Sequence, residues 1–334
     1  MSDLFITNQL VSYREDLCTA LSDAGFRILR YENGDIQVTR FHGKVFLRSA
    51  VRLLEKNKPG VVIVPEFSGI SLQVSLLKKR FGFKLVSLCD DSMDMIQGND
   101  FVWTHRVARR LLPPHLDGII LHGREVCNWY RDRFGIKDLL MPIMLDEQRY
   151  RDELRRVLPL SEQIRPGGRP VVAFVGRFVG LKNIPSLIRS FEPFRDRAQL
   201  VLIGDGPQRE QLKRMAPYAV FTGMLSGDDL LAWYNLIDIL VLPSTQEAYG
   251  AVTGEALMAG AKVIVSRRAG SFDLVREGQN GYLVDPMNVG ELTARLNDLL
   301  SGMVEDRPLA LRNNLHPYRF AECVDGLING IRSL

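Results

Sequence analysis

Residues 240–260 read Leu-Val-Leu-Pro-Ser-Thr-Gln-Glu-Ala-Tyr-Gly-Ala-Val-Thr-Gly-Glu-Ala-Leu-Met-Ala-Gly. More than any other stretch, they restrict what the chain can fold into. Ile239 to Leu242 form an apolar run closed by Pro243, the pattern of a strand buried on both faces in a parallel sheet. Ser244 to Tyr249 are loop residues. Gly250 opens a segment of helix formers, and Gly260 is placed to end it. A helix starting at a strand's carboxyl end presents free N–H groups to the sheet crevice, where anions bind. Tyr249, Gly250, Ala251 and Val252 would supply those groups, with Gly250 allowing close backbone approach. Glu247 and Glu255 flank the anion position and are suited to hold hydroxyls of a bulky phosphorylated ligand. A solvated loop acid beside a helix-face acid would give the same spacing.

The same alternation of short apolar runs and helical segments continues along the whole chain. In the first half, strands are expected at Leu4–Ile6, Phe26–Leu29, Val61–Val64, Lys84–Leu88 and Gly118–Leu121, with a further short one at 35–41. Helices are expected at 11–24, 46–57, 70–80 and from 122 through Phe134. In the second half, strands are expected at Val171–Val175, Gln199–Ile203, Ala219–Gly223, Ile239–Leu242, Lys262–Ser266 and Gly281–Val284. This is α/β architecture with doubly wound parallel sheets. At 334 residues the chain is long enough for two such domains. A charged helical stretch at 147–165 runs into Arg165-Pro166-Gly167-Gly168-Arg169-Pro170, where the joint between them is expected. The expected domains are 1–165 and 166–316, followed by a terminal helix in 317–334.

Composition excludes some partners. A net charge of +4 gives no basic excess of the kind nucleic acid requires. Cys18, Cys89, Cys127 and Cys323 are scattered without a CxxC, which fits free thiols in a reducing compartment. His42, His105, His115, His122 and His316 lack metal-ligand spacing, so no metal is expected. No apolar run is long enough to cross a membrane. A cytoplasmic protein is expected.

Loops at strand carboxyl ends should line the ligand crevice. In the first half they hold Asn8, Gln9, residues 66–69 and Cys89-Asp90-Asp91-Ser92. Asp90 and Asp91 are the acidic candidates there, either as acceptor-side acids or as turn and cap residues. Basic residues among 78–84 and 105–110 either form a solvated face or meet an anionic lipid or pyrophosphate-linked partner. In the second half, Gly176-Arg177 and Lys182 follow the 171–175 strand directly. Gly204-Asp205-Gly206-Pro207 follows 199–203 but lacks the third glycine of a dinucleotide fingerprint, because Arg209 stands there.

In combination these segments resemble the retaining nucleotide-sugar glycosyltransferases, above all glycosyltransferase family 4. The resemblance rests on Gly-Arg-x4-Lys at 176–182, the strand-Gly-x-Gly-Pro turn, Met224-Leu225-Ser226 and Glu-x7-Glu at 247–255. It covers about residues 171–285. Where the family commonly has Gly-Gly-x-x-Glu, this chain has Ala269-Gly270-Ser271-Phe272-Asp273, a departure bearing on the donor sugar. The resemblance implies the GT-B fold, two Rossmann-like domains facing across a cleft, with the terminal helix crossing back to the first domain. It implies sugar transfer with retention from a UDP- or GDP-sugar to a saccharide or lipid-linked saccharide acceptor in bacterial surface polysaccharide assembly, without another cofactor.

In that reading Arg177 and Lys182 hold the pyrophosphate, Glu247 the sugar and Glu255 the ribose. Gly176, Gly204, Met224, Leu225, Tyr249, Gly250, Ala251 and Val252 line the donor site, and Asp91 serves the acceptor side. A peripheral contact with the inner membrane face is a further implication. Two other functions fit the same motifs: a catalytically silent nucleotide-sugar-binding subunit, and a GT-B epimerase or phosphorylase.

Overall fold

The computed structural model describes residues 3–7, 12–30, 38–41, 44–47, 50–98 and 103–334. Asn8, Gln9 and His42 lie outside them, as do the side chains of Trp103 and His105. The described residues form two compact units, Met1–Ile143 with Phe320–Leu334, and Met144–Arg319.

The first unit contains β1 (Leu4–Thr7), β2 (Arg27–Arg30), β3 (Val38–Phe41), β4 (Lys44–Leu47), β5 (Val61–Pro65), β6 (Lys84–Leu88), β7 (Gly118–Leu121) and β8 (Lys137–Leu140). Six of these pair in parallel in the order β2-β1-β5-β6-β7-β8. Val62, Val64, Leu85, Ile119 and Leu121 are buried, and Phe67, Val74 and Tyr130 pack in the same core. Covering both faces of a sheet removes its strands from water, which is why β5 and β7 are apolar throughout.

One expectation changes here, and one strand is added that none foresaw. Residues 44–47 pair antiparallel with 38–41 as a hairpin, so the helix expected at 46–57 begins at Ala50. The edge strand β8 carries no continuous apolar run, since Lys137 is exposed and only Leu139 is buried. The helix Phe320–Arg332 packs on β8 and on the helix Ser12–Asp23, with Lys137 donating to the Ser333 hydroxyl.

The second unit contains β9 (Val171–Val175), β10 (Gln199–Ile203), β11 (Val220–Gly223), β12 (Ile239–Leu242), β13 (Lys262–Ser266) and β14 (Gly281–Val284). All pair in parallel, in the order β11-β10-β9-β12-β13-β14. Counted from β9, this is the 3-2-1-4-5-6 order of a Rossmann sheet. The chain reverses direction across the sheet between β9 and β12, which opens a crevice at their carboxyl ends.

The units divide at Met144, not at the Pro166-Gly167-Gly168 cluster. The helices Glu147–Arg156 and Leu158–Ile164 pack on Gly227–Leu236 and bury Tyr150, Leu154 and Val157. Asn235 Nδ2 donates to the Leu154 carbonyl at 2.8 Å and to Ser161 Oγ at 3.1 Å. The Gly168 carbonyl accepts from Asp306 N at 2.8 Å. Hydrogen bonds and burial therefore fix the cluster within the second unit.

Candidate functional site

In the second unit, the loops leaving β9, β10 and β12 meet at the switch point. Gly204 has φ +136°, and a Cβ there would lie 1.9 Å from the Gly176 carbonyl oxygen. Only glycine permits the two loops to cross so closely. Gly176, Arg177, Gly204, Met224 and Leu225 line one pocket of about 160 Å³ with Val175, Ile203, Asp205 and Leu230. Five residues expected at the site from separate segments thus share one wall. Arg177 is exposed and forms no ion pair among the described residues.

The β9 loop is stitched to the loop after β12. Leu181 O accepts from Thr245 N at 2.8 Å, and Asn183 Nδ2 donates to the carbonyls of Pro243 at 3.2 Å and Pro286 at 2.7 Å. Between these ties, Lys182 Nζ pairs with Glu247 Oε2. Their side chains are 18% and 13% exposed, which shields the pair partly from solvent. Ser244 Oγ also donates to Glu247 Oε2, at 3.3 Å. A cation and an acid taken from two motifs 65 residues apart are here direct partners.

The Glu247 loop is held from behind. Gly270 N donates to Glu247 O at 3.1 Å, and Ser271 N to Tyr249 O at 2.7 Å. Thr253 Oγ1 and Ser271 Oγ are 2.9 Å apart. The helix begins at Val252, later than Gly250, and has only seven residues. Gly250 has φ +91°, outside the right-handed helical range, and a Cβ there would stand 2.6 Å from Leu242 and 3.2 Å from Glu247 Cγ. Its close approach is therefore to the protein's own strand end and glutamate.

Glu255 lies in that short helix and accepts a hydrogen bond from the Tyr234 hydroxyl. Burial pushes its pKa upward, and the Tyr234 hydrogen bond opposes the rise. Burial and the neighbouring Glu255 charge hold Tyr234 well above the usual phenol range.

In the first unit, Asp91, offered either as an acceptor-side acid or as a turn and cap residue, is engaged inside the protein. Its carboxylate takes both terminal nitrogens of Arg109 and the Tyr130 hydroxyl, the latter at 2.6 Å. Arg109 also stacks over Phe67, 4.7 Å from the ring centre. The Asp91 side chain is 2% exposed, so it closes an internal ion pair. The cap reading holds for the next residue, since Ser92 Oγ accepts from Met95 N at 3.3 Å.

Asp90 receives Arg14 at 2.5 Å and His122 Nε2 at 2.8 Å. Burial alone would raise its pKa, but the His122 and Arg14 interactions outweigh that and hold it well below the usual carboxylate range. His122 Nδ1 is 2.7 Å from the Met141 carbonyl, which can only accept, so Nδ1 carries a proton. Sequence reasoning gave His122 no role. The available signal was its place directly after the β7 carboxyl end, the same criterion that selected Asp90.

Among the described residues, no three His, Cys, Asp or Glu side chains are grouped to hold a metal ion. No helix among them is long and apolar enough to cross a membrane.

Residues 169–302 match the family model described as glycosyl transferases group 1. A GDP-mannose-dependent alpha-mannosyltransferase of Corynebacterium glutamicum is 31% identical over 191 residues, 56% of this chain and 43% of that protein. One of the same description from Mycobacterium tuberculosis is 31% identical over 207 residues, 61% of this chain and 50% of that protein. The matched stretch thus spans half or less of these relatives. Among solved structures, Anabaena HepE in complex with UDP superimposes with a TM-score of 0.73 at 15% identity, covering 100% of both chains. Sucrose-phosphate synthase from Thermosynechococcus elongatus gives 0.69 at 16% identity, covering 100% of this chain and 95% of that one. The fold is therefore that of the GT-B glycosyltransferases, and residues 169–302 form a glycosyl transferases group 1 segment that resembles glycosyltransferase family 4.

Proposed function

We propose that this protein is a glycosyltransferase that moves a sugar from a nucleotide-sugar donor to a saccharide or lipid-linked saccharide acceptor, with retention at the anomeric carbon. The observation carrying this reading is the Lys182–Glu247 pair, which joins the β9 loop that also carries Arg177 to the β12 loop, at the switch point of the second sheet. Cations at that position offset charge on a diphosphate leaving group, charge that grows as the sugar–oxygen bond breaks. Arg177 has its guanidinium open to solvent for a bidentate phosphate contact. Lys182 is a point charge on a short turn. Glu247, once Lys182 turns to phosphate, accepts hydrogen bonds from sugar hydroxyls. Glu255 accepts from the ribose hydroxyls, and Met224 and Leu225 offer an apolar face to the base.

Relatives of the donor-unit sequence are named as GDP-mannose-dependent, which makes GDP-mannose the first donor to test; a fold neighbour holding UDP makes UDP-glucose the second. Acceptor binding is assigned to the first unit by the family resemblance. Surface polysaccharide assembly and a peripheral membrane contact belong to the same reading.

The test is a thermal-shift screen of nucleotide sugars, followed by product analysis with the stabilising donor and a panel of saccharide acceptors. A ligand at a hundred times its Kd stabilises by about 2.7 kcal/mol. A glycoside product with retained configuration supports the proposal. Donor stabilisation with neither transfer nor hydrolysis would favour a silent binding subunit, and release of free nucleotide with an epimerised sugar would favour an epimerase.

A further inference from the structure

Glu255 stands in unusual surroundings for an acid that is to stay ionised. Its helix, Val252–Met258, is packed by Glu147–Arg156, by β12 and β13, and by the turn Gly270–Leu274, while Tyr234 reaches it from Gly227–Leu236. The first of these brings Tyr150, which is 2% exposed and whose hydroxyl has no hydrogen-bond partner among the described residues. It also brings Arg151, whose guanidinium donates to the Met258 carbonyl at 3.0 Å, away from the carboxylate. Strand β13 brings Lys262, turned to the Gln279 carbonyl, and β12 is wholly apolar. The Gly270–Leu274 turn contributes Asp273. No basic side chain among the described residues forms an ion pair with Glu255. Its one hydrogen-bond donor there is the hydroxyl of Tyr234, which is 1% exposed.

Tyr234 is itself fixed. Its carbonyl accepts from Arg312 at 3.0 Å, and Arg312 pairs with Asp238 at 3.2 Å. Its ring meets Tyr150 edge-on with centroids 6.5 Å apart. A hydroxyl held this firmly can aim a carboxylate and favour its charged form.

We propose that Tyr234 is a positioning residue for nucleotide recognition: its hydroxyl orients Glu255 and keeps it ionised, so that the free carboxylate oxygen accepts the vicinal hydroxyls of a ribose. The inference rests on the reading above that Glu255 meets the nucleoside, and it adds the group that makes a partly buried acid competent for that task. A carboxylic acid, once protonated, loses acceptor capacity towards a diol. Without Tyr234 the balance shifts towards protonation, because burial is then unopposed.

The experiment is calorimetric titration of GDP and UDP between pH 5 and 9 into wild type, Tyr234→Phe, Tyr150→Phe and Glu255→Gln. Tyr234→Phe keeps the ring and removes only the hydroxyl. It should weaken nucleotide binding about tenfold at neutral pH, the scale of one hydrogen bond to a charged group. Affinity should recover as pH rises, with the inflection displaced above that of wild type. Glu255→Gln should be weak without that inflection, retaining only the titration of the ligand phosphate. Tyr150→Phe, which removes a hydroxyl lacking a partner, should bind as wild type does. If Tyr234→Phe matches wild type at every pH while Glu255→Gln is weak, Tyr234 has no positioning role and the nucleotide site stands. A loss in Tyr234→Phe that is equal at every pH and accompanied by a lower Tm would mean only structural damage, and overturns the inference. Wild-type affinity in Glu255→Gln would overturn both it and the site reading.

Discussion

Replacing Glu247 by glutamine should tighten the binding of a free nucleoside diphosphate while slowing sugar transfer. Lys182 is paired with Glu247 when no ligand is present, and both side chains are more than four-fifths buried. A diphosphate must draw Lys182 from that carboxylate or share it. Hydrogen bonds to charged groups contribute roughly 1.5–3 kcal/mol, and a glutamine carbonyl would retain part of that contact. The released competition is then about 1 kcal/mol, equivalent to roughly fivefold in Kd. Removing a negative charge next to an anionic ligand acts in the same direction. The assay is titration of GDP and UDP into wild type and Glu247→Gln at low ionic strength, with guanosine and uridine as controls lacking phosphate. The diphosphates should bind the variant more tightly, the nucleosides equally, and the gain should shrink as salt screens the site. Turnover should fall on the order of 100-fold, because the sugar gains positive character only as its bond to phosphate breaks. Unchanged or weaker diphosphate binding would refute the argument, since Lys182 would then not be the group that phosphate recruits.

Other outcomes follow from the same geometry. Arg177→Ala should lower kcat by about 100-fold or more with the ligand-free Tm unchanged, because the side chain is exposed and has no ion-pair partner among the described residues; steady-state rates beside calorimetry check this. Asp91→Ala should destabilise the protein by about 3–5 kcal/mol in denaturant titration, the scale for leaving a buried partner such as Arg109 unpaired, and should leave the KM for donor unchanged in the folded fraction. Asp90 has a folded pKa depressed below its unfolded value, so its stabilising contribution is present above about pH 4 and is lost as pH falls through the folded value. Asp90→Asn should therefore flatten the acid limb of the stability curve measured below pH 4.

The sequence by itself determined the elements whose cause is local. Runs such as Val171–Val175 and Ile239–Leu242 are apolar end to end because both faces of their sheet are covered, and Gly or Pro closes them because the chain must turn there. Their regular alternation with helices implied two parallel sheets. Segment position, directly after a strand's carboxyl end, marked Arg177, Lys182 and Glu247 before their contacts were known. Tertiary structure alone decided what each of those groups touches. Strand β8 was hidden because an edge strand with an exposed Lys137 has no apolar run to detect. The charged helical stretch 147–165 reads as the end of the first domain because the Pro/Gly cluster follows it, yet Tyr150 and Leu154 are buried and the stretch belongs to the second unit. Asp91 and Glu247 are both loop acids after a parallel strand, and sequence spacing treats them alike. Arg109 and Tyr130, 18 and 39 residues further along the chain, enclose the first, while Lys182, 65 residues earlier, pairs with the second. Burial and charge partners are properties of chain segments brought together across a sheet, and no local pattern encodes which distant segment will arrive.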